Sequence, residues 1–337
     1  MTKPPAALSF DLDNLWSYLK TRGDDGWRSF PTYLPRLIPE VLEFFDRRSL
    51  RLTFFVVGQD AALDINAQVL SRPVQAGHEI GNHSFHHEPW LHTYPPERIE
   101  SEISDAETAI TLATGERPEG FRGPGFSWSP ALLKTLAVRG YLYDASTLPT
   151  FIGPLGRRYY FAKTSLAPAE RAIRKNLYGG IADGLRPVRS YYWHLGSGKR
   201  LLEIPVTTMP WLKLPFHLSY LLFLGRISES LMRAYLAAAV ALCRAAGIGP
   251  SFLLHPLDFL GPEDAPGLAF FPGMDITKKR KLSLAGMVMD VLAGHFELLP
   301  LGRYARIVRD GPASLNIRFC EKDTIHPDPI EVDHDQR

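Results

Sequence analysis

With 337 residues, 45% of them hydrophobic and 22% charged, the chain has the composition of a folded globular protein and the length for one large α/β domain. A formal net charge of +2 excludes the basic excess expected of a nucleic-acid-binding protein. Two cysteines, Cys243 and Cys320, are too few and too far apart for a disulfide framework or a CxxC metal site, which points to a reducing compartment.

The start, MTKPPAALSFDLD, has no apolar core of signal-peptide length, and the most apolar stretch, LPFHLSYLLFLG at 214–225, falls well short of the roughly 20 residues of a spanning helix. A cytoplasmic protein is the expectation. Residues 6–10 form an apolar run that delivers Asp11 and Asp13 at its carboxyl end, as a buried strand carrying functional groups does. Helical spacing follows at 34–48, and RLTFFVVG at 51–58 reads as a strand closed by glycine. The alternation continues with a helix at 60–76, a short strand at 79–81, helices at 96–114 and 130–139, and an extended segment at 141–144. Repeated β/α units imply parallel strands with helices outside. Residues 151–200 break this rhythm with glycines, prolines and ten Lys or Arg against two Asp or Glu, and read as a basic insertion. Strands at 201–207 and 251–255 and helices at 228–246 and 279–296 resume the pattern. The reading is one domain over 6–310, followed by an acidic tail at 321–337.

Three features carry chemistry: Asp11 and Asp13 in SFDLDN, the histidines in GHEIGNHSFHH, and His255 in LLHP. Two aspartates could merely cap the next helix, a histidine-rich loop could simply be solvated, and His255 alone reads as a buried histidine closing a strand. Taken together they say more. His83 and His87 are four apart, so a helical turn would put both imidazoles on one face, and an aspartate would complete a two-histidine, one-carboxylate set with open coordination positions. Zinc is the first expectation for such a site, with cobalt, nickel or another divalent ion as alternatives. His78, His86 and His92 are assigned to polar surface or to supporting roles.

FDLD, HSFHH, FRGPG, DAST and LLHP occur in the order and approximate spacing of the five motifs of the polysaccharide deacetylase (NodB homology, carbohydrate esterase family 4-like) family, and over residues 8–256 the chain resembles that family. The separation of the two aspartates by Leu12 resembles its FDxD branch. The resemblance implies an α/β fold, a distorted (β/α)7-type barrel with its site at the carboxyl ends of the strands. It implies that Asp11 is the catalytic base, that Asp13, His83 and His87 hold the metal, and that Ser84 steadies the histidine loop. Arg122 would orient the base and hold it ionised, and Asp144 would pair with His255, the proton donor. Pro124, Gly125 and Phe126 form the oxyanion and substrate-binding turn, with Gly125 where the family usually has tyrosine and Phe126 where glycine is usual.

The implied activity is metal-dependent removal of an acyl, typically acetyl, group from an amino sugar. The basic insertion and the neighbouring apolar segment, over 151–225, suggest contact with a lipid phosphate or with the inner face of a membrane, and so a lipid-linked or other intracellular N-acetylated glycoconjugate as substrate. A solvated basic face beside a core helix accounts for the same residues. Two alternative functions are hydrolysis of a small non-sugar amide or imide, and a non-catalytic glycolipid-binding module.

Overall fold

The computed structural model describes residues 2–155, 158, 180–196 and 199–310. The acidic tail and much of the basic insertion therefore lie outside the described residues.

Among the described residues, nine strands make one curled sheet: β1 (Pro5–Asp11), β2 (Thr53–Val56), β3 (Glu79–Asn82), β4 (Gly120–Phe121), β5 (Tyr143–Asp144), β6 (Tyr191–His194), β7 (Arg200–Glu203), β8 (Ser251–Leu254) and β9 (Glu297–Pro300). Their order is β6-β7-β5-β4-β3-β2-β1-β8, with β9 also paired to β1. All pairings are parallel except the β6–β7 hairpin. This is the distorted β/α barrel expected, left open between β6 and β8 among the described strands. Parallel strands covered on both faces need no polar alternation, which is why the apolar runs ALSF and TFFV read so clearly in the sequence.

The helices cover the sheet where their apolar stripes demand. Helix α2 (Leu34–Asp46) buries Leu34, Leu37, Ile38, Val41, Phe44 and Phe45, the i, i+3, i+4 face of an amphipathic helix. Helix α6 (Pro96–Thr114) buries Ile99, Ile103, Ala106 and Ile110 and ends at Gly115, whose φ of 81° lies in the left-handed region that favours glycine. The long helix expected at 60–76 is instead three short ones, Gly58–Ala61, Asp64–Leu70 and Arg72–Gln75. The chain is extended at Leu63, and Asn66 turns back so that its Nδ2 donates to Asp60 Oδ1 at 3.1 Å. The same oxygen accepts from Asn14 Nδ2 and Trp16 Nε1 at 2.7 and 2.9 Å. Thus a polar network anchors the segment just after the two aspartates, and Asn14 caps the helix Leu15–Arg22.

Phe10 lies between Asp11 and the core, fully buried, its ring 5.4 Å from that of Phe54 and 5.5 Å from that of Phe259. Phe10→Ala should cost about 3–5 kcal/mol, since the rings around it cannot close the cavity; urea denaturation compared with the unaltered protein checks this.

Candidate metal and catalytic site

Strand register assembles the site. Phe10 pairs with Leu254, so Asp11 and His255 emerge beside each other from β1 and β8. On the other side Asp11 pairs with Phe55, Val56 with Asn82, Asn82 with Phe121 and Phe121 with Asp144. His83, Arg122 and Asp144 therefore stand at or just past the carboxyl ends of neighbouring strands. Such ends are where α/β barrels carry their functional groups.

Asp13 Oδ1 is 3.2 Å from His83 Nε2 and 2.9 Å from His87 Nε2. No helix brings the two histidines together, contrary to the spacing argument. Residues 83–87 form an irregular loop with Ser84 and His87 at φ of 61° and 49°. Glu102 of α6, buried at 3% exposure, holds that loop by accepting from the N–H groups of Phe85 and His86 at 3.1 and 3.0 Å and bonding His86 Nδ1 at 2.6 Å. Ser84 steadies it through its backbone, by donation to Asn82 Oδ1, while its buried hydroxyl has no hydrogen-bond partner among the described residues. His78 is no surface residue: it is 4% exposed, Nδ1 accepts from Leu52 N–H, and burial pushes its pKa down to about 4.

The donor chemistry tests whether a cation fits. His83 Nδ1 lies 2.6 Å from the Arg122 carbonyl, which can only accept, so Nδ1 carries a proton. The lone pair of Nε2 then faces a carboxylate oxygen, another acceptor, and His87 Nε2 converges on that oxygen as well. Acceptors at these separations need a proton or a cation between them. The three ligand atoms lie within 4.8 Å of one another, and two imidazoles plus one carboxylate suit a divalent metal with open positions. Burial alone would raise the Asp13 pKa, but His87 and His83 outweigh it and hold the carboxyl well below its usual range. The aspartate is thus ready as an anionic ligand.

Arg122 joins the two halves of the site. It has no exposed surface, and its Nη1 donates to Asp11 Oδ1 at 2.7 Å and to Ser9 Oγ at 2.8 Å, while Nε donates to the Ala145 carbonyl at 3.0 Å. The next residues form a tight turn in which the N–H groups of Phe126 and Ser127 bond the carbonyls of Gly123 and Pro124. Gly125 has a φ of 59°, and a β-carbon there would come 2.9 Å from Pro89. A side chain at 125 is therefore excluded in this conformation, and Phe126, at φ of 63°, supplies the aromatic of the turn.

Asp144 is placed differently from the expectation. Its Oδ1 accepts from Ser146 Oγ at 2.5 Å, and its other neighbour is Glu203, with both carboxyl groups fully buried. Glu203 in turn accepts from the N–H and hydroxyl of Thr147 and from Trp193 Nε1. Burial and then Glu203 raise the Asp144 pKa well above its usual value, so this pair shares a proton. His255 instead places Nδ1 3.2 Å from Ser219 Oγ, and its backbone N–H donates to Asp258 Oδ2 at 2.9 Å. The anticipated Asp144–His255 pair is thus replaced by two separate groups, because β5 is committed to β7 and its Glu203. Tyr18, not singled out from the sequence, packs edge-on against Phe271 at 4.8 Å; burial raises its pKa, and Asp13 and Asp258 raise it further, so its phenol lies near both sides of the site.

Comparisons with known proteins show sequence similarity to deacetylases. Residues 23–143 match the polysaccharide deacetylase family model. A chitin deacetylase of Pestalotiopsis sp is 33% identical over 103 residues, covering 30% of this chain and 34% of that protein. A peptidoglycan-N-acetylglucosamine deacetylase of Bacillus cereus is 28% identical, covering 41% and 61%, and a chitooligosaccharide deacetylase of Sinorhizobium fredii is 32% identical, covering 36% and 60%. The chain thus spans between about a third and three-fifths of the length of these relatives. The solved structure of a putative polysaccharide deacetylase from Mycobacterium smegmatis shares the fold, with a TM-score of 0.58, 18% identity and coverage of 97% of this chain and 96% of that one.

His83→Ala should reduce bound divalent metal in the dialysed protein from near stoichiometric to near zero while the fold persists, as elemental analysis and circular dichroism would show. The raised Asp144 pKa means that the folded state holds a proton the unfolded chain releases. The stability this contributes is complete below the ordinary carboxylate value and is lost as pH rises through the folded one. Asp144→Asn should therefore flatten the fall in melting temperature as pH rises above the ordinary carboxylate range, measured by thermal unfolding across a pH series.

Proposed function

We propose, from the match of residues 23–143 to the polysaccharide deacetylase family model and from the cluster of Asp13, His83 and His87, that the chain is a metal-dependent hydrolase removing an acetyl group from the nitrogen of an amino sugar. The observation that carries the reading is the convergence of Asp13, His83 and His87 beside Asp11, which Arg122 holds in place. Asp13, His83 and His87 would hold the cation, with zinc the first candidate for this ligand set. A divalent metal there supplies Lewis acidity toward the acyl carbonyl and toward water.

The remaining steps belong to side chains. Asp11 takes a proton from the attacking water as its oxygen bonds the acyl carbon. The Arg122 guanidinium keeps the Asp11 carboxylate aimed at that proton. The turn Pro124–Gly125–Phe126 presents the Gly125 N–H to the oxygen that gains charge, where a preorganised donor contributes most in the transition state. His255, across the register from Asp11, gives a proton to the departing nitrogen as the carbon–nitrogen bond breaks. The products are acetate and a free amine.

The finer reading is a lipid-phosphate-linked or other intracellular glycoconjugate as substrate. It is supported by a tight turn near the basic insertion, closed by Met209 N–H to Leu214 O at 2.8 Å, with Trp211 and Leu212 at its tip 67% and 56% exposed. An amphipathic tryptophan beside Lys213 suits a membrane interface. No helix among the described residues is long and apolar enough to cross a membrane.

Purified protein should release acetate from N-acetylated sugars, and a chelator should abolish that release. Asp11→Asn should lower kcat by about 100-fold or more with metal still bound, in line with loss of a general base. Near-normal turnover in Asp11→Asn would overturn the reading. Release from a bacterial lipid extract but not from soluble N-acetyl sugars would support the lipid-linked substrate, and the reverse would remove it.

A further inference from the structure

The proton donor of the proposed reaction lacks the partner expected for it, yet it is not left loose. His255 Nδ1 is 3.2 Å from the hydroxyl of Ser219, in the first turn of the helix Leu218–Ile227. The Asp258 carboxyl, three residues beyond His255 and only 2% exposed, faces the same hydroxyl, which favours its ionised form against the effect of burial. The other hold on His255 comes from the same carboxyl, since Asp258 Oδ2 accepts the His255 backbone N–H at 2.9 Å. Asp258 therefore holds the main chain of His255 and stands beside the hydroxyl that the His255 ring meets.

The elements bearing these groups are themselves fixed. Lys281, 2% exposed, donates from Nζ to the carbonyls of Leu257 and Leu260 at 2.6 and 2.8 Å, pinning the loop on both sides of Asp258. Phe259, between them, sits in the ring cluster of Phe10, Phe44 and Phe45. On the helix, Leu218, Leu221 and Leu222 are buried on either side of Ser219. His217 is the other polar neighbour, with its ring 5.9 Å from that of His255. Burial and then His255 push its pKa down to about 3, so it stays neutral and brings no competing charge.

Donor and acceptor counting sets the direction of such a chain. An ionised Asp258 only accepts, so the single hydroxyl proton of Ser219 would go to Asp258 and the Ser219 oxygen would accept from His255 Nδ1–H. We propose that Ser219 and Asp258 are positioning residues for His255, forming a relay His255 Nδ1–H to Ser219 to Asp258 that keeps Nε2 turned to the reacting nitrogen. The relay takes the place of the Asp144 pairing, and as a statement about turnover it rests on the reading of His255 as proton donor. It also divides the site by origin. The base and the metal ligands come from the strands before the insertion, while the ring of the acid is set by a helix after it.

The test uses the zinc-loaded full chain, with chitotetraose as substrate and histidine labelled with nitrogen-15. The His255 resonances are assigned by comparison with His255→Gln. In the unaltered protein they should show the proton at Nδ1 in the neutral ring. Ser219→Ala should lower kcat by about 10- to 100-fold with KM within about twofold, as loss of a supporting partner does, and should shift the tautomer signature. Ser219→Thr, which keeps the hydroxyl, should restore both, and Asp258→Asn should reproduce the alanine phenotype at unchanged zinc content. Full activity and an unaltered tautomer in Ser219→Ala would overturn the relay. If the unaltered protein releases no acetate, the deacetylase reading fails, while the tautomer comparison still decides the relay. Should Ser219→Ala fail to fold, the threonine and asparagine variants carry the same comparison.

Discussion

The guanidinium of Arg122 is a fully buried charge whose partners lie on three different strands or their ends: Asp11 and Ser9 on β1, Ala145 beyond β5, and, through its own carbonyl, His83 beyond β3. A charge removed from water is costly unless it is paired and bonded, so burying Arg122 forces the acceptors around it into place. The same residue orients the Asp11 carboxylate through its side chain and fixes the tautomer of His83 through its backbone. Loss of either contact would leave an acceptor or a charge unsatisfied in a dry interior, so Asp11 and His83 are positioned together.

Around that arginine, environment sorts the carboxyl groups into distinct roles. Asp13 faces two imidazoles and is held as an anion despite burial. Asp144 and Glu203 face each other with only hydroxyls, an amide and an indole for company, and share a proton. Asp60 collects three donors on one oxygen, yet burial, the largest influence, lifts its pKa to about 7. Residue type alone does not separate these cases. What separates them is the sign of the nearest groups and whether water reaches them.

That distinction sets how far the site could be read from the sequence. The strand-end motifs were legible because parallel strands buried on both faces print as apolar runs, and the polar residues that follow them stand out. The alternation of Asp11 and Asp13 about Leu12 follows from the same geometry. The histidine loop was legible in its residues but not in its shape, since its left-handed turns at Ser84 and His87 depend on Glu102, which belongs to a helix well downstream. The fate of Asp144 was hidden for a similar reason. Its partner Glu203 lies across a parallel strand pair and beyond the insertion, and nothing local in DAST foretells it. The tight turn at 123–127 shows the limit of motif matching from another side. Glycine at 125 is demanded by a positive φ and by Pro89, so a departure from the family pattern has a conformational cause.

The two sides of the cleft therefore carry different constraints. Asp11, Asp13, His83 and Arg122 are tied to the sheet or its immediate ends, where register leaves little freedom. Tyr18, Phe271, Ser219 and the Trp211 turn come from helices and connections packed over the strand ends, where one residue can change without shifting a strand. Groups that need fixed distances from one another, such as Asp11, Asp13 and Arg122, are best served by the first set, and adjustable contacts by the second. Gly125 cannot carry a side chain in this backbone, so Phe126 is the aromatic that the turn itself offers. Tyr18 and Phe271 add an edge-to-face pair from the second set, so a change there alters the surroundings of Asp13 and Asp258 without moving a strand.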